Sequence, residues 1–387
     1  MLPESIIAGS GRGLFFAEML IRDLKMPVVA MVETNTEIHP QVRQRLAEYG
    51  SPDTVLCRTL AEAHERFPRA DRVFIATPNT THADLFEEAL QANFHVMLEK
   101  PVAAHPADVD RLERLGQATD RVIQLGFVLR YSNFYRRIAA AVKAGQLGQI
   151  LMIQMNERLG ALHGTCYRRG WRRLIANTGG FLNEKCSHDL DLMCWFKSGQ
   201  ARPVSVYSVG GRQLFERDNT PESCPVCADR DCPFRAIDRK IHGQQYQQYV
   251  DEAAEQRCVY RTDADVLNHQ HVTVNFSDGT HGHLGLIAES GAEGRDIMIH
   301  GTRGFLAGDL GKGQLTLVEY GAPDRTVDLS MEANNMHGGG DLAILQEFFD
   351  CIADGTHPAA TLADGILATR IAFAADRSVA TGLPVAL

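Results

Sequence analysis

Through the first 125 residues, short unbroken apolar runs alternate with stretches of helical apolar period. The runs at 5–8, 27–32, 72–75, 94–98 and 122–125 read as buried strands, and the stretches at 14–20, 61–67, 83–92 and 107–119 read as helices. Such alternation implies a parallel sheet covered by helices, with ligand-binding turns at the carboxyl ends of its strands.

Beyond residue 125 the pattern changes. Runs at 150–155, 204–209, 271–276 and 283–287 read as strands with few helices between them, which predicts a mainly antiparallel sheet. Asp278-Gly279 falls between two of these runs and reads as a hairpin turn. Helical period returns at 341–354 and 362–381, and no repeat or low-complexity linker interrupts the chain. The reading is an α/β Rossmann nucleotide-binding domain over 1–125, then an α+β domain with a large, mainly antiparallel sheet over 126–387. The second domain would bind substrate and carry oligomerisation, and its C-terminal helices can pack back on the first.

Composition agrees with this division. The 387 residues exceed what one hydrophobic core usually serves, and 44% hydrophobic with 22% charged residues is ordinary globular usage. A net charge of -9 and a pI near 5.9 speak against a nucleic-acid or anionic-lipid surface and favour a small-molecule partner. Nine scattered cysteines, an odd number, with no leader ahead of the first apolar run, point to a reducing cytoplasm and to no membrane span.

Candidate chemistry begins at the first turn, Gly9-Ser10-Gly11-Arg12-Gly13. Its first glycine permits a tight turn, and the second lets backbone approach a pyrophosphate at the positive end of a helix. The third glycine of the usual fingerprint would fall at Leu14, so Gly13 comes one place early. Glu33 ends the next strand, where a carboxylate accepts from both adenosine ribose hydroxyls and repels a 2′-phosphate. The following Thr34, Asn35 and Thr36 offer no cation, so NAD is expected over NADP. Thr77, Pro78, Asn79 and His82, and then Glu99 and Lys100, follow later strands on the same cofactor face.

At these residues the chain resembles the glucose-fructose oxidoreductase, inositol dehydrogenase and MocA family. The resemblance implies that Lys100 of Glu99-Lys100-Pro101 is catalytic and that Pro101 shapes its turn, through a cis peptide in this reading. Gly126-Phe127 with Arg130-Tyr131 looks like the family's bridge into the second domain. The segment 179–191 is similar to the family helix that carries an acid and, four residues on, a histidine; here these are Glu184 and His188. That spacing sets both on one helix face, and His188 can also reach Asp191. Many members have aspartate at the place of Glu184 and glycine at that of Cys186.

Oxidising a secondary alcohol requires its hydroxyl proton to leave as the hydride departs. An imidazole ordinarily titrates near neutrality, so His188 is the expected base, with Lys100 donating to the developing alkoxide and Glu184 orienting either. The loop 163–173 contributes His163, Arg168, Trp171 and Arg172 as substrate contacts, beside Arg130 and Tyr131, because arginine forks match oxyanions and aromatics stack on sugar faces. By resemblance, His337, ahead of Asp341 as helix N-cap, also borders the substrate. Cys224, Cys227 and Cys232 have the spacing of a structural zinc knuckle, with Cys258, His242 or a cysteine from elsewhere as fourth ligand, set against free thiols in a surface insertion.

The expected function is therefore NAD-dependent hydride transfer from a sugar, sugar acid or inositol-like polyol, by a homodimer or homotetramer. The alternative is an NAD-dependent glycosidase working by transient oxidation, elimination, hydration and re-reduction, on an anionic glycoside for instance, with Tyr131 or Tyr167 as the further base. A third reading, a nucleotide-binding protein without turnover, is opposed by Lys100 and His188.

Overall fold

The computed structural model describes residues 3–213, 217, 219–236, 256–321, 324–328 and 336–387. Among these, residues of 1–127 and 342–366 form one compact unit, and residues of 128–341 and 367–387 form another.

The first unit holds a parallel sheet of six strands: β1 (Ser5–Ala8), β2 (Val28–Val32), β3 (Val55–Cys57), β4 (Arg72–Ile75), β5 (His95–Leu98) and β6 (Ile123–Leu125). Their order is β3-β2-β1-β4-β5-β6, so the winding reverses between β1 and β4. In such sheets the crevice at that reversal receives the ligand. Two elements lie beyond the sequence reading, the helix His39–Tyr49 and β3. That helix buries only Val42 and Leu46, and β3 is three residues long, so neither leaves an apolar run. Residues 342–366 close the β6 edge: Leu125 N–H donates to Ala360 O (3.0 Å), the Gln124 amide donates to Ile344 O (2.9 Å), and Phe348 meets Phe74 edge-on at 5.4 Å.

The second unit is built on nine strands: β7 (Ile150–Gly160), β8 (Pro203–Gly211), β9 (His269–Phe276), β10 (His281–Ser290), β11 (Gly294–Gly301), β12 (Gly304–Asp309), β13 (Gln314–Glu319), β14 (Arg325–Asp328) and β15 (Val385–Ala386). They run in the order β14-β13-β12-β11-β7-β10-β9-β8-β15. The sheet is mixed: neighbours are antiparallel except β7 and β10, which lie parallel across the middle. Parallel neighbours need a crossover between them, and the helix Phe181–Phe196 falls in that interval. Asp278-Gly279 does turn β9 into β10, with Gly279 at φ 85°.

Helix Phe181–Phe196 buries 13 of its 16 residues, far more than an ordinary surface helix. Against the sheet it presents charges as well as apolar groups. Lys185 reaches Glu157 of β7 (3.2 Å), and Arg295 of β11 bridges Glu157 (2.6 Å) and Asp189 (3.1 Å). Burial pushes the Glu157 carboxyl up even though Arg295 and Lys185 pull it down. The helix also lies close on β10, where a Cβ at Gly282 would fall 2.1 Å from the Met193 sulfur.

Candidate active site

The first turn assigns each glycine a separate task. Gly9 has φ 93°, and a Cβ there would lie 2.6 Å from Ala76 O, so the β1 and β4 turns touch backbone to backbone. A Cβ on Gly11, the first residue of helix Gly11–Arg22, would meet nothing within 4 Å. That open place at a helix N-terminus fits a pyrophosphate. At Gly13 a Cβ would strike Ile7 at 2.6 Å, so Gly13 does the helix-on-strand packing that the usual fingerprint gives to the next position.

Glu33 follows β2, and its carboxylate accepts from the Ser10 hydroxyl and, at 2.8 Å, from Asn35 N–H. A carboxylate has about four lone-pair sites, so capacity for ribose hydroxyls remains. The residues present thus fit NAD. Arg12 lies over the Phe15 ring (4.3 Å) and pairs through Nε with Glu99 (3.2 Å). The same Glu99 accepts from Lys100 N–H (3.1 Å), and its Oε2 stands 3.0 Å from where a Gly126 Cβ would be.

Lys100 therefore stands at the end of β5, with its backbone held by the preceding side chain, and the Lys100-Pro101 peptide is cis. His82 is fully buried, with ring nitrogens 2.9 Å from Pro101 O and 3.0 Å from Thr77 O. It ties the two turns together from within. Asn79 is buried in the short turn Asn79–Thr81, and Thr77 accepts from the Thr81 hydroxyl (2.7 Å).

The second unit carries Glu184 and His188 on the buried helix. Gly179 and Gly180, at φ 73° and 104°, lead into it. His188 is 6% exposed, and its ring centroid lies 6.4 Å from that of His337. His337, at φ 55°, sets Nδ1 3.0 Å from an Asp341 carboxylate oxygen. Beyond the expected helix cap, Asp341 thus holds His337, a second role that its i,i+4 spacing signals. Glu184 accepts from Arg172 Nε (3.0 Å), Arg172 stacks on Trp171 (4.6 Å), and Tyr167 packs on Phe181 (4.3 Å). Burial first, then the Glu184 carboxylate, pushes the Tyr167 hydroxyl well above its ordinary range, which unsuits it as a base near neutrality.

Other expected substrate residues have protein partners. Arg130 forms a buried two-point pair with Asp191 (2.8 and 2.5 Å), which also engages the acid expected near His188. Arg168 is buried on Glu289 (2.5 Å), and His163 pairs with Glu293 (2.6 Å). Tyr131 is buried, with Arg136 5.6 Å from its ring.

The zinc expectation is not met. Cys224, Cys227, Cys232 and Cys258 line one pocket, drawn together by the Ser223–Arg257 bridge and by Cys227 N–H donating to Cys224 O (3.2 Å). All are free thiols, and among the described residues no three His, Cys, Asp or Glu side chains are grouped to hold a metal ion. Two of the sulfurs have other partners: Cys224 accepts from Ala236 N–H (3.5 Å), and Cys232 is hydrogen-bonded with Tyr260. His242 lies outside the described residues.

A nucleotide-binding Rossmann unit followed by a mixed-sheet unit with a Glu-x-x-x-His helix defines a two-unit NAD-binding oxidoreductase. The chain belongs to the glucose-fructose oxidoreductase, inositol dehydrogenase and MocA family. Residues 7–127 match the oxidoreductase family's NAD-binding Rossmann fold, and residues 139–387 match its C-terminal alpha/beta domain. A Bacillus subtilis protein named as an oxidoreductase, YteT, is 23% identical over 319 residues, 73% of either chain. The inositol 2-dehydrogenase of Salmonella typhimurium is 32% identical over 136 residues, 35% of this chain and 38% of that one. A levoglucosan dehydrogenase solved with NADH and levoglucosan shares the fold at TM-score 0.77 and 18% identity, over 100% of this chain and 99% of that one. The myo-inositol 2-dehydrogenase of Lactobacillus plantarum shares it at TM-score 0.72 and 20% identity, over the whole of both chains. Among the described residues no helix is long and apolar enough to cross a membrane.

Proposed function

We propose that this chain oxidises a secondary hydroxyl of a sugar, sugar acid or polyol. The observation that carries the reading is His188, a buried imidazole one helical turn beyond Glu184 and beside a His337 that Asp341 holds. NAD, when bound, supplies the hydride acceptor. The turn after β1 and Glu33 would hold it. His188 takes the hydroxyl proton, and Lys100 donates to the oxygen as negative charge develops there. Glu184 orients the substrate side through Arg172. The inositol and levoglucosan dehydrogenases among the similar proteins support a polyhydroxylated substrate.

The test is a library of sugars, sugar acids and cyclitols with NAD, followed by NADH absorbance. At least one member should give stoichiometric NADH, and a library inert at saturating NAD would overturn the reading. Glycoside cleavage without net redox change gains no support, since the similar proteins named for an activity are dehydrogenases. Assembly into dimers or tetramers belongs to the same reading. Tyr207, Val209, Ile287 and Met298 are exposed on one face of the nine-stranded sheet, and light scattering should show more than one chain per particle.

A further inference from the structure

The proposed reaction leaves the class of sugar open, and the arginines of the second unit narrow it. Arg130, Arg168 and Arg173 each spend two guanidinium nitrogens on a carboxylate, those of Asp191, Glu289 and Asp263. Arg169 is buried and donates to Phe234 O. Arg172 differs in both respects. Among the described residues its one hydrogen bond is Nε to Glu184 Oε1 (3.0 Å), and its side chain is 33% exposed where those of Arg130 and Arg168 are 4% and 2%.

A guanidinium has five N–H donors in a rigid plane. With Nε committed, the edge formed by its two terminal nitrogens remains for a ligand, and that edge matches the two oxygens of a carboxylate. The plane is set in advance. Glu184 is 5% exposed and fixed in the buried helix, and the Trp171 ring lies 4.6 Å from the guanidinium carbon. Little side-chain freedom is left to lose on binding, which is what preorganised recognition requires.

We propose that Arg172 recognises a carboxylate on the substrate, so that the chain acts on a sugar acid in preference to a neutral sugar or polyol. This rests on the reading of the chain as a sugar dehydrogenase. Glu184 already balances the charge of Arg172, so selection comes from two charge-assisted hydrogen bonds and not from net field. Their loss corresponds to about ten- to hundredfold in affinity.

The experiment compares matched pairs, D-glucose with D-glucuronate and D-galactose with D-galacturonate, together with D-glucose 6-phosphate. Each is run in steady-state assays with NAD and by calorimetry on the NADH-loaded protein. In at least one pair the acid should exceed its neutral partner by about tenfold or more in kcat/KM. Arg172→Met should erase that ratio, chiefly through KM, while NADH binds as before, and Arg172→Lys should restore part of it. A neutral sugar used as well as its acid, a ratio that survives Arg172→Met, or preference for the phosphate would overturn the carboxylate assignment. Calorimetry separates this from failure of the dehydrogenase reading. Uronate that binds the wild type and not Arg172→Met, without turnover of any compound, sustains the Arg172 site and sinks the activity; no uronate binding sinks the site.

Discussion

Lys100 and Gly9 illustrate two ways in which one residue can matter to one site. Gly9 is required by space, because any side chain would enter Ala76 O and would have to adopt φ 93°. Lys100 would matter by chemistry under the proposed reaction, and its backbone N–H is held by the Glu99 carboxylate. Lys100→Ala should lower kcat by about a hundredfold or more, the scale of lost general acid–base help, while leaving NAD affinity within severalfold. Single-turnover kinetics with a fluorescence titration of NADH would check it, and unchanged turnover would remove Lys100 from the mechanism. At this scale the sequence was most legible where a residue type has few alternative uses. It was least legible for the arginines, because charge alone does not say whether a carboxylate of the same protein has already taken the fork.

At the scale of elements, the helix Phe181–Phe196 depends on buried polar partners as much as on apolar packing. Arg130 and Asp191 pair at 4% and 1% exposure. Breaking such a pair leaves an unmatched buried charge, so Asp191→Asn should cost about 3 kcal/mol or more, seen as a lower denaturant midpoint with little change in slope. A second acid acts at the start of this helix. Asp376 Oδ2 would lie 2.4 Å from a Cβ at Gly180, and the Gln270 amide donates to its Oδ1 at 3.0 Å. Burial pushes its pKa up to about 6, against the pull of Gln270. A carboxyl raised on folding binds more protons in the native state between its unfolded value of 3.8 and about 6. Its contribution is therefore fully present below pH 3.8 and is lost as pH rises through 6. Asp376→Asn, which keeps the acceptor for Gln270, should raise Tm at pH 7 to 8 and flatten the decline between pH 4 and 7. A melting series across that range would show it, and identical wild-type and variant slopes would count against it.

For the whole molecule, a cofactor that binds only the folded chain adds stability by mass action. NAD at a hundred times its Kd should stabilise by about 2.7 kcal/mol, read as a rise in Tm. The Glu33 carboxylate should make NADP far weaker, and Glu33→Ala should narrow the gap between the two. Equal shifts from both dinucleotides would contradict the role given to Glu33. The chain is cut so that residues 342–366 belong with the first unit although they follow the second in sequence. The sequence allows the C-terminal helices to pack back on the first domain, but no local pattern says which residues do so, since Gln124 and Ile344 find one another only in the folded chain.

The alternation of strand and helix before residue 125, the glycine turn, Glu33 and the Glu184–His188 spacing were all readable from the chain alone, and Lys100 stood out through the family resemblance. Each depends on neighbours a few residues apart or on a motif with one dominant use. Other features needed the tertiary structure. The parallel pairing of β7 with β10, the pairing of Arg130 with Asp191 and of Arg168 with Glu289, and the four thiols that share a pocket all join residues distant in sequence. Hydrophobic period fixes which face of an element is buried, but not which buried charge will meet it there. That was decided by the packing of the helix Phe181–Phe196 on the nine-stranded sheet, and among the described residues it left Arg172 hydrogen-bonded through Nε alone.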